Sequence, residues 1–443
     1  MRRLLFYIVG LAILIAAAVW LADRPGSVSI RWGDYLITTS VAILVLVAVV
    51  LAAVVAVLYR FWIWLRKGPG RLRKSMVQHR REKGYESLTR GLVALAAGDS
   101  SEARRHASRA DAMLDRPPLT LLLSAQAAQL DGDVKTANET FEAMLERPET
   151  EFLGLRGLMV EALRRGDDAA ARGYAERAHK LRPDAVWAAD ALFELETRGG
   201  DWRAAQRTLE SAIDRRTLGR PAGKRRRAVV LVERAREALT DLRRADAIKL
   251  AREAHAEAPD LVPGAVLLAD LLSDEQKFRP AAKAIAETWS LKPHPDLAAA
   301  YLRAGRDESQ IAAYQRLQKL VKAAPNALES HIAAARAALD AALTGEARRH
   351  LEDASRIEAT HRIARLYVEL EEKDKHAEAA QEWLRKAADA PPDEAWQCGR
   401  CGHVPEAWAP VCPHCGAFDS IDWTRPHAVA RAAASTSLTP LAS

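Results

Sequence analysis

The chain's four cysteines all fall between residues 398 and 415, as Cys398-Gly-Arg-Cys401-Gly402 and Cys412-Pro-His-Cys415-Gly416. Each pair places two thiolates on one tight turn. The glycine that follows lets the chain bend so that backbone amides point at sulfur. Two such knuckles facing each other form a tetrahedral four-thiolate metal site, although the ten residues between them are fewer than the ~15–20 common in such pairs. Structural zinc on Cys398, Cys401, Cys412 and Cys415 is the expected occupant, because the site is closed, all-sulfur and has no redox motif around it. Iron is the alternative, and a disulfide framework is disfavoured by the cytoplasmic placement argued below. Cys412-Pro413 also matches the minimal Cys-Pro pair of haem sensors, a dipeptide common in zinc knuckles. Trp396, Trp408, Phe418 and Trp423 surround the cysteines as an apolar shell, since about thirty residues cannot fold on a core of their own. His403 and His414 are expected to be exposed rather than ligating.

No other chemistry is legible. The sequence has no GxGxxG after a strand, no GxxxxGK[ST], no HExxH and no GxSxG. Its histidines, among them His106, His179, His255, His331, His350, His361 and His376, are scattered without paired spacing. The chain reads as a scaffold and not an enzyme, with no catalytic or cofactor-binding residues to name beyond the cysteines.

The elements that carry the cysteines are repeats. Gly98-Asp99, Gly132-Asp133, Gly166-Asp167 and Gly200-Asp201 recur at a step of 34 residues, and Ala103, Ala137, Ala171 and Ala205 follow five residues after each glycine. Seven further on stand Ala110, Met144, Ala178 and Ala212, and Pro183 terminates the third unit. This is the period of the tetratricopeptide (TPR) array, one helix hairpin per repeat. Glycine and aspartate end helix A and open helix B, and the small residues let the pair approach closely. Beyond Ala205 the same position falls at Ala247, Ala281, Ala313, Ala347 and Ala380, with prolines at Pro259, Pro293, Pro325 and Pro392 as terminators. About nine hairpins are expected.

The step of 42 between Ala205 and Ala247 marks an insertion that contains Arg215, Arg216, Arg220, Pro221, Gly223 and the run Lys224 to Arg227. Turn residues and charge predict an exposed loop there, with an anion-binding or docking role as the sharper possibility. Trp187, Trp202, Trp289, Trp383, Tyr174, Tyr301, Tyr314 and Tyr367 are expected mostly in the core. A minority could line a groove for a partner peptide or helix.

Two uncharged 19-residue runs, Leu4–Ala22 and Val41–Tyr59, are each close to the ~20 residues that cross a bilayer core as a helix. Arg2 and Arg3 precede the first. Nine basic residues against the single acid Glu82 follow the second, between Arg60 and Lys83. The positive-inside rule then places both ends, and the repeats, in the cytoplasm. Trp20, Trp32, Tyr35, Tyr59, Phe61, Trp62 and Trp64 read as interfacial anchors. A cleaved signal peptide is the alternative for the first run, although that run exceeds the ~7–15 residues of an ordinary h-region. The basic stretch suffices as an orientation signal, or it tethers the first repeat to anionic lipid. No recognition module accompanies it, so nucleic acid is not an expected partner.

The two spans, Trp32-Gly33 between them, the segment Arg60-Phe-Trp-Ile-Trp-Leu-Arg66, and the stretches Gly91–Asp99 and Leu121–Asp133 together resemble the HemY-type membrane TPR proteins. That resemblance covers the membrane hairpin and the first four repeats. It implies an inner-membrane scaffold associated with haem (protoporphyrin) biosynthesis, with late tetrapyrrole enzymes as partners. It brings no catalytic residue, and the chain lacks the dinucleotide fingerprint of the flavin-dependent oxidase that shares the name. An anchor followed by TPR units and a CxxC pair also resembles LapB, an adaptor linking a membrane protease to lipopolysaccharide synthesis. LapB-type proteins have one span.

The expected fold is therefore all-α: an N-terminal two-helix transmembrane hairpin, a TPR-type α-solenoid, and a small C-terminal zinc-ribbon or rubredoxin-like module. The expected boundaries are 1–66 for the hairpin, 67–83 for the basic juxtamembrane segment, 84–392 for the repeats, 395–424 for the metal module and 425–443 for a disordered tail. A haem- or porphyrin-binding carrier is the reading from another class.

Overall fold

A computed structural model of the chain describes residues 12, 15, 16, 19, 20, 26–32, 35–114, 117–305 and 309–426. The first predicted span and the predicted tail fall almost wholly outside these residues. The chain divides into two compact units, Met1–Asp133 and Val134–Ser443.

In the first unit, the segment between the two apolar runs forms an antiparallel β-hairpin. Ser27–Trp32 pairs with Tyr35–Ser40, with Ser27 opposite Ser40 and Trp32 opposite Tyr35. The strands hold β-branched and aromatic residues at a density that suits a pleated ribbon. Helix Val41–Ala96 follows without interruption for 56 residues, about 84 Å at 1.5 Å per residue. Its portion Ile43–Ile63 has mean hydropathy 2.8 and none of it is buried against protein. Tyr59, Phe61 and Trp62 are exposed at its end, as anchors at a membrane surface would be. The same helix then becomes helix A of the first hairpin and packs on Ser100–Leu114. Leu88, Ala107, Ala110 and Leu123 form the core there.

The second unit runs through helix pairs such as Pro148–Arg164 with Asp168–Leu181, and Val186–Arg198 with Trp202–Asp214. Each turn between them is built as the sequence period requires. Gly98, Gly132, Gly166 and Gly200 all adopt φ between 73° and 81°. Asp99, Asp167 and Asp201 each cap the following helix by accepting from the amide three residues on, at 2.9–3.0 Å. The helix ends in a Schellman motif, in which the Asp201 amide reaches back to Glu196 O at 2.9 Å and that of Gly200 to Thr197 O at 3.1 Å. The repeat alanines Ala103, Ala137, Ala171, Ala205, Ala247, Ala281, Ala347 and Ala380 are all buried, and only Ala313 is half-buried.

The later repeats lose the glycine but keep its conformation. Leu242, Gln276, Ala342 and Lys375 occupy φ of 56–61° at the equivalent position, and the same pair of back-reaching amides closes each helix. A left-handed L-residue costs roughly 1 kcal/mol or more. Packing of the flanking helices therefore holds these turns where sequence no longer favours them.

Of the insertion's basic residues only Arg215 and Arg216 lie in an exposed turn, between helices Trp202–Asp214 and Arg220–Thr240, and the rest is not a loop. It is absorbed as extra turns of helix Arg220–Thr240, 21 residues long where the next repeat's helix Val262–Asp274 has 13. Pro221 sits in the first turn, where a missing amide costs nothing. Arginine, lysine and alanine are good helix formers, and Gly223 lets the turn close on Ile213. Of the punctuating aromatics, Trp289, Tyr301, Tyr314 and Tyr367 are buried. Tyr174, Trp187, Trp202 and Trp383 are half-buried.

Candidate metal centre and its seat on the helical array

Strand Ala395–Cys398 leaves the last helix, Ala377–Asp389, and pairs antiparallel with Ile421–Thr424. Between them the two knuckles fold by the same rule. The Gly402 amide donates to Cys398 O and the Gly416 amide to Cys412 O, both at 2.9 Å. Gly402 and Gly416 take φ of 75° and 69°. In the same way Cys398 N donates to His403 O at 2.8 Å, and Cys412 N to Ala417 O at 2.9 Å. The two turns are near copies, and each presents two sulfurs to the other.

All four Sγ atoms lie within 4.8 Å of one another. Cys398 Sγ stands 3.7 Å from Cys415 Sγ, and Cys401 Sγ 3.8 Å from Cys412 Sγ. A disulfide needs about 2.05 Å. A tetrahedral ion with metal–sulfur bonds of about 2.3 Å needs sulfur–sulfur edges of about 3.8 Å. The four cysteines thus fit a metal ion. His403 and His414 stay outside the sulfur cage and stack on one another, with ring centroids 5.5 Å apart.

The thiols do not share one chemistry. Burial opposes ionisation of Cys398, but hydrogen bonds from Ser420 and the amides of Cys401 and Arg400 outweigh it and bring the thiol down to about 6. Burial pushes Cys415 up to about 12 and also raises Cys401. Several thiols crowded in one site cannot all ionise without a cation between them.

The aromatic shell faces the helices and not a core of the module's own. Phe418 meets Phe193 edge to face at 4.9 Å, and the guanidinium of Arg236 lies 5.7 Å from the ring centroid of Trp408. Trp396 and Trp423 enclose His294, with ring centroids at 4.8 and 4.3 Å. His294 is fully buried, and its Nδ1 accepts from the Asp296 amide at 3.1 Å. Burial, aided by Lys292 and Arg362, pushes its pKa down to about 3, so the ring is neutral and packs as an aromatic.

Polar contacts extend the seat. Arg225, expected in a solvated loop, donates to both oxygens of Asp419 at 2.9 and 3.2 Å, and to Asp260 at 3.2 Å. Its neighbours Arg226 and Arg227 bond Asp190 and Glu257. Lys292 lies 3.6 Å from Asp422. Arg425, the first residue of the expected tail, pairs with Glu358 and donates to Pro392 O. Asp393 accepts from the Arg362 amide at 3.0 Å. The module is thus tied to helices from Val186–Arg198 to His361–Lys373. Sequence reasoning found the cysteines and their aromatics, but it missed Arg225, Phe193 and His294. The basic run was the available signal for the first of these, and its helical register the missing information.

Fold and site together define a TPR-type repeat protein that carries a four-cysteine module seated on its own helices. Residues 26–132 match the family described as HemY protein N-terminus. Over 439 residues the chain is 29% identical to the "Probable magnetosome protein Mms48" of Magnetospirillum gryphiswaldense, covering 96% of this chain and 93% of that protein. Among solved structures, a tetratricopeptide repeat protein from Parabacteroides merdae is similar at 14% identity and a TM-score of 0.27, over 56% of this chain and 93% of its own. The complex of Naa15/Naa10 bound to HypK-THB is similar at 16% identity and a TM-score of 0.40, over 73% of this chain and 55% of that one.

Proposed function

We propose that this chain is a bacterial inner-membrane scaffold that holds partner proteins at the cytoplasmic face, in haem (protoporphyrin) biosynthesis. The observation that carries the membrane reading is the unbroken helix Val41–Ala96, which runs from an apolar 21-residue segment straight into the first repeat. A chain so built fixes its first hairpin to the bilayer without a flexible linker. The HemY match over residues 26–132 supports the pathway. In this reading the chain crosses twice, both ends are cytoplasmic, and the basic segment meets anionic lipid. Cys398, Cys401, Cys412 and Cys415 hold structural zinc, with iron as the other occupant that chemistry allows. The metal supplies cross-linking of two knuckles and no reaction step. Partners bind the helical repeats, and late haem-biosynthetic enzymes are the expected ones.

Co-purification of the full-length protein from its native membrane in mild detergent tests this. Enrichment of ferrochelatase or a protoporphyrinogen-oxidising enzyme supports it, whereas a membrane protease with lipid A enzymes would replace it with a LapB-like adaptor. The near full-length likeness to a probable magnetosome protein adds a second reading, in which the scaffold serves an organelle-forming membrane and recovers that membrane's proteins instead. A Soret band on titrating haem into the protein would favour a haem carrier.

A further inference from the structure

A second metal site is carried by the hairpin Leu328–Asp340 and Thr344–Ile357. His331 on the first helix faces His350 and Asp353 on the second. One ring nitrogen of each histidine and a carboxylate oxygen of Asp353 lie within 4.8 Å of one another. The two Nδ1 atoms are 3.3 Å apart, and Asp353 Oδ2 is 3.9 Å from that of His331. The other nitrogens decide what this means.

His331 Nε2 lies 2.9 Å from the carbonyl oxygen of Pro325. A carbonyl only accepts, so this nitrogen carries the proton and Nδ1 of the neutral ring is bare. His350 Nε2 lies 3.4 Å from the Tyr314 hydroxyl, which itself donates to Glu346 at 2.8 Å. The hydroxyl therefore offers His350 a lone pair, and Nε2 of His350 donates to it. Gln318 Nε2 stands 3.1 Å from the same nitrogen, and a flip of that amide, which exchanges it for the oxygen, gives His350 Nε2 a second acceptor. His350 Nδ1 is then bare as well. Two lone pairs facing each other beside a carboxylate repel unless a cation lies between them.

We infer that His331, His350 and Asp353 form a divalent transition-metal site of the zinc class, separate from the four cysteines. With metal–nitrogen bonds of about 2.0–2.1 Å, a tetrahedral ion sets its nitrogen ligands about 3.3 Å apart. Both rings have the far-side acceptors that such ligands ordinarily require. Asp353 Oδ1 is held at 2.7 Å by Arg356, which leaves Oδ2 for the ion. His350 is buried and His331 nearly so, while a third of the Asp353 side chain is exposed. Entry and a water as fourth ligand are both available on that side. The mixed nitrogen and oxygen donors suit zinc, nickel or cobalt and not copper(I), which soft sulfur ligands select.

The test is zinc stoichiometry of the full-length protein in detergent, after equilibration with micromolar free zinc and by mass spectrometry of the metal. Two zinc per chain are expected. Asp353→Asn, a shape-preserving change at a partly exposed position, should leave one, and Cys398→Ser should remove the other. Tyr314→Phe takes away the acceptor behind His350 and should weaken the second site about 10-fold without altering the cysteine site. Cobalt in the second site should lack the intense sulfur charge-transfer absorption of the first. A single zinc that leaves entirely with Cys398→Ser, together with His331 and His350 ring resonances unmoved by excess zinc, would overturn the assignment.

Discussion

Replacing Asp419 by asparagine should loosen the metal module from the helices without unfolding either. The carboxylate accepts from Nε and Nη2 of Arg225 at 2.9 and 3.2 Å, and the two side chains are only 14% and 28% exposed. Asparagine keeps the size of the side chain and tolerates φ of 45° at this position. Only the charge and one acceptor are lost. A contact ion pair at an effective dielectric constant near 20 is worth about 4 kcal/mol before desolvation. Asp260 remains within 3.2 Å of the same guanidinium, and the pair is partly wetted. The net loss should be about 2 kcal/mol, a shift of roughly 30-fold in the opening equilibrium. Trp396 and Ile421 are buried in the core that the helices share with the module, so undocking and loss of module protection are one event. Native-state hydrogen exchange reads it directly. The amides of Gly399 and Cys412, which bond Ser420 O and Ala417 O, should exchange about 30-fold faster. Amides in the helix Leu328–Asp340 should not change. Wild-type rates at Gly399 and Cys412, or equal acceleration everywhere, would refute the idea that this pair seats the module.

Other expectations follow from the same geometry. Glu196 is 4% exposed, its Oε2 has no hydrogen-bond partner, and burial pushes its pKa from 4.5 to about 7. Between those values the folded protein holds a proton that the unfolded chain has lost, so this group's contribution to stability falls as pH rises through that window, by at most about 3 kcal/mol. Glu196→Gln should raise the urea midpoint at pH 8 and flatten the profile between pH 4.5 and 7; an unchanged slope would exclude Glu196 as its source. Leu242 is 92% exposed at φ 58°, so Leu242→Gly should stabilise by about 0.5–1 kcal/mol. Gly166→Ala, at φ 73°, should destabilise by about 1 kcal/mol, and urea denaturation of both variants checks the sign. Cys398→Ser or Cys415→Ser should release the metal of the cysteine site, counted by a chromogenic chelator, while far-UV circular dichroism stays nearly unchanged because repeat contacts are local. Loss of most helicity would show that the module and the array fold as one.

The sequence by itself determined whatever depends on near neighbours in the chain. Gly98, Gly132, Gly166 and Gly200 announce the turns because a left-handed residue is a local steric demand, and the aspartates after them announce the caps for the same reason. Cys398 and Cys401, like Cys412 and Cys415, sit on one turn whatever surrounds them. The apolar run after Val41 is long enough to span a bilayer by composition alone. The tertiary structure decided everything that needed a partner distant in the chain. Arg225 reads as solvated until Asp419, 194 residues on, is brought against it, and a run of like charges in sequence says nothing about the acids that packing will bring alongside. The turns at Leu242, Gln276, Ala342 and Lys375 carry no local signal either, since contacts between helices hold a backbone that their side chains disfavour. His331 and His350 look scattered at a spacing of 19 residues, and they face each other because the hairpin between them folds back. Local backbone chemistry fixes the repeat and its period, while pairing across repeats sets the charges and rings that give the array its sites.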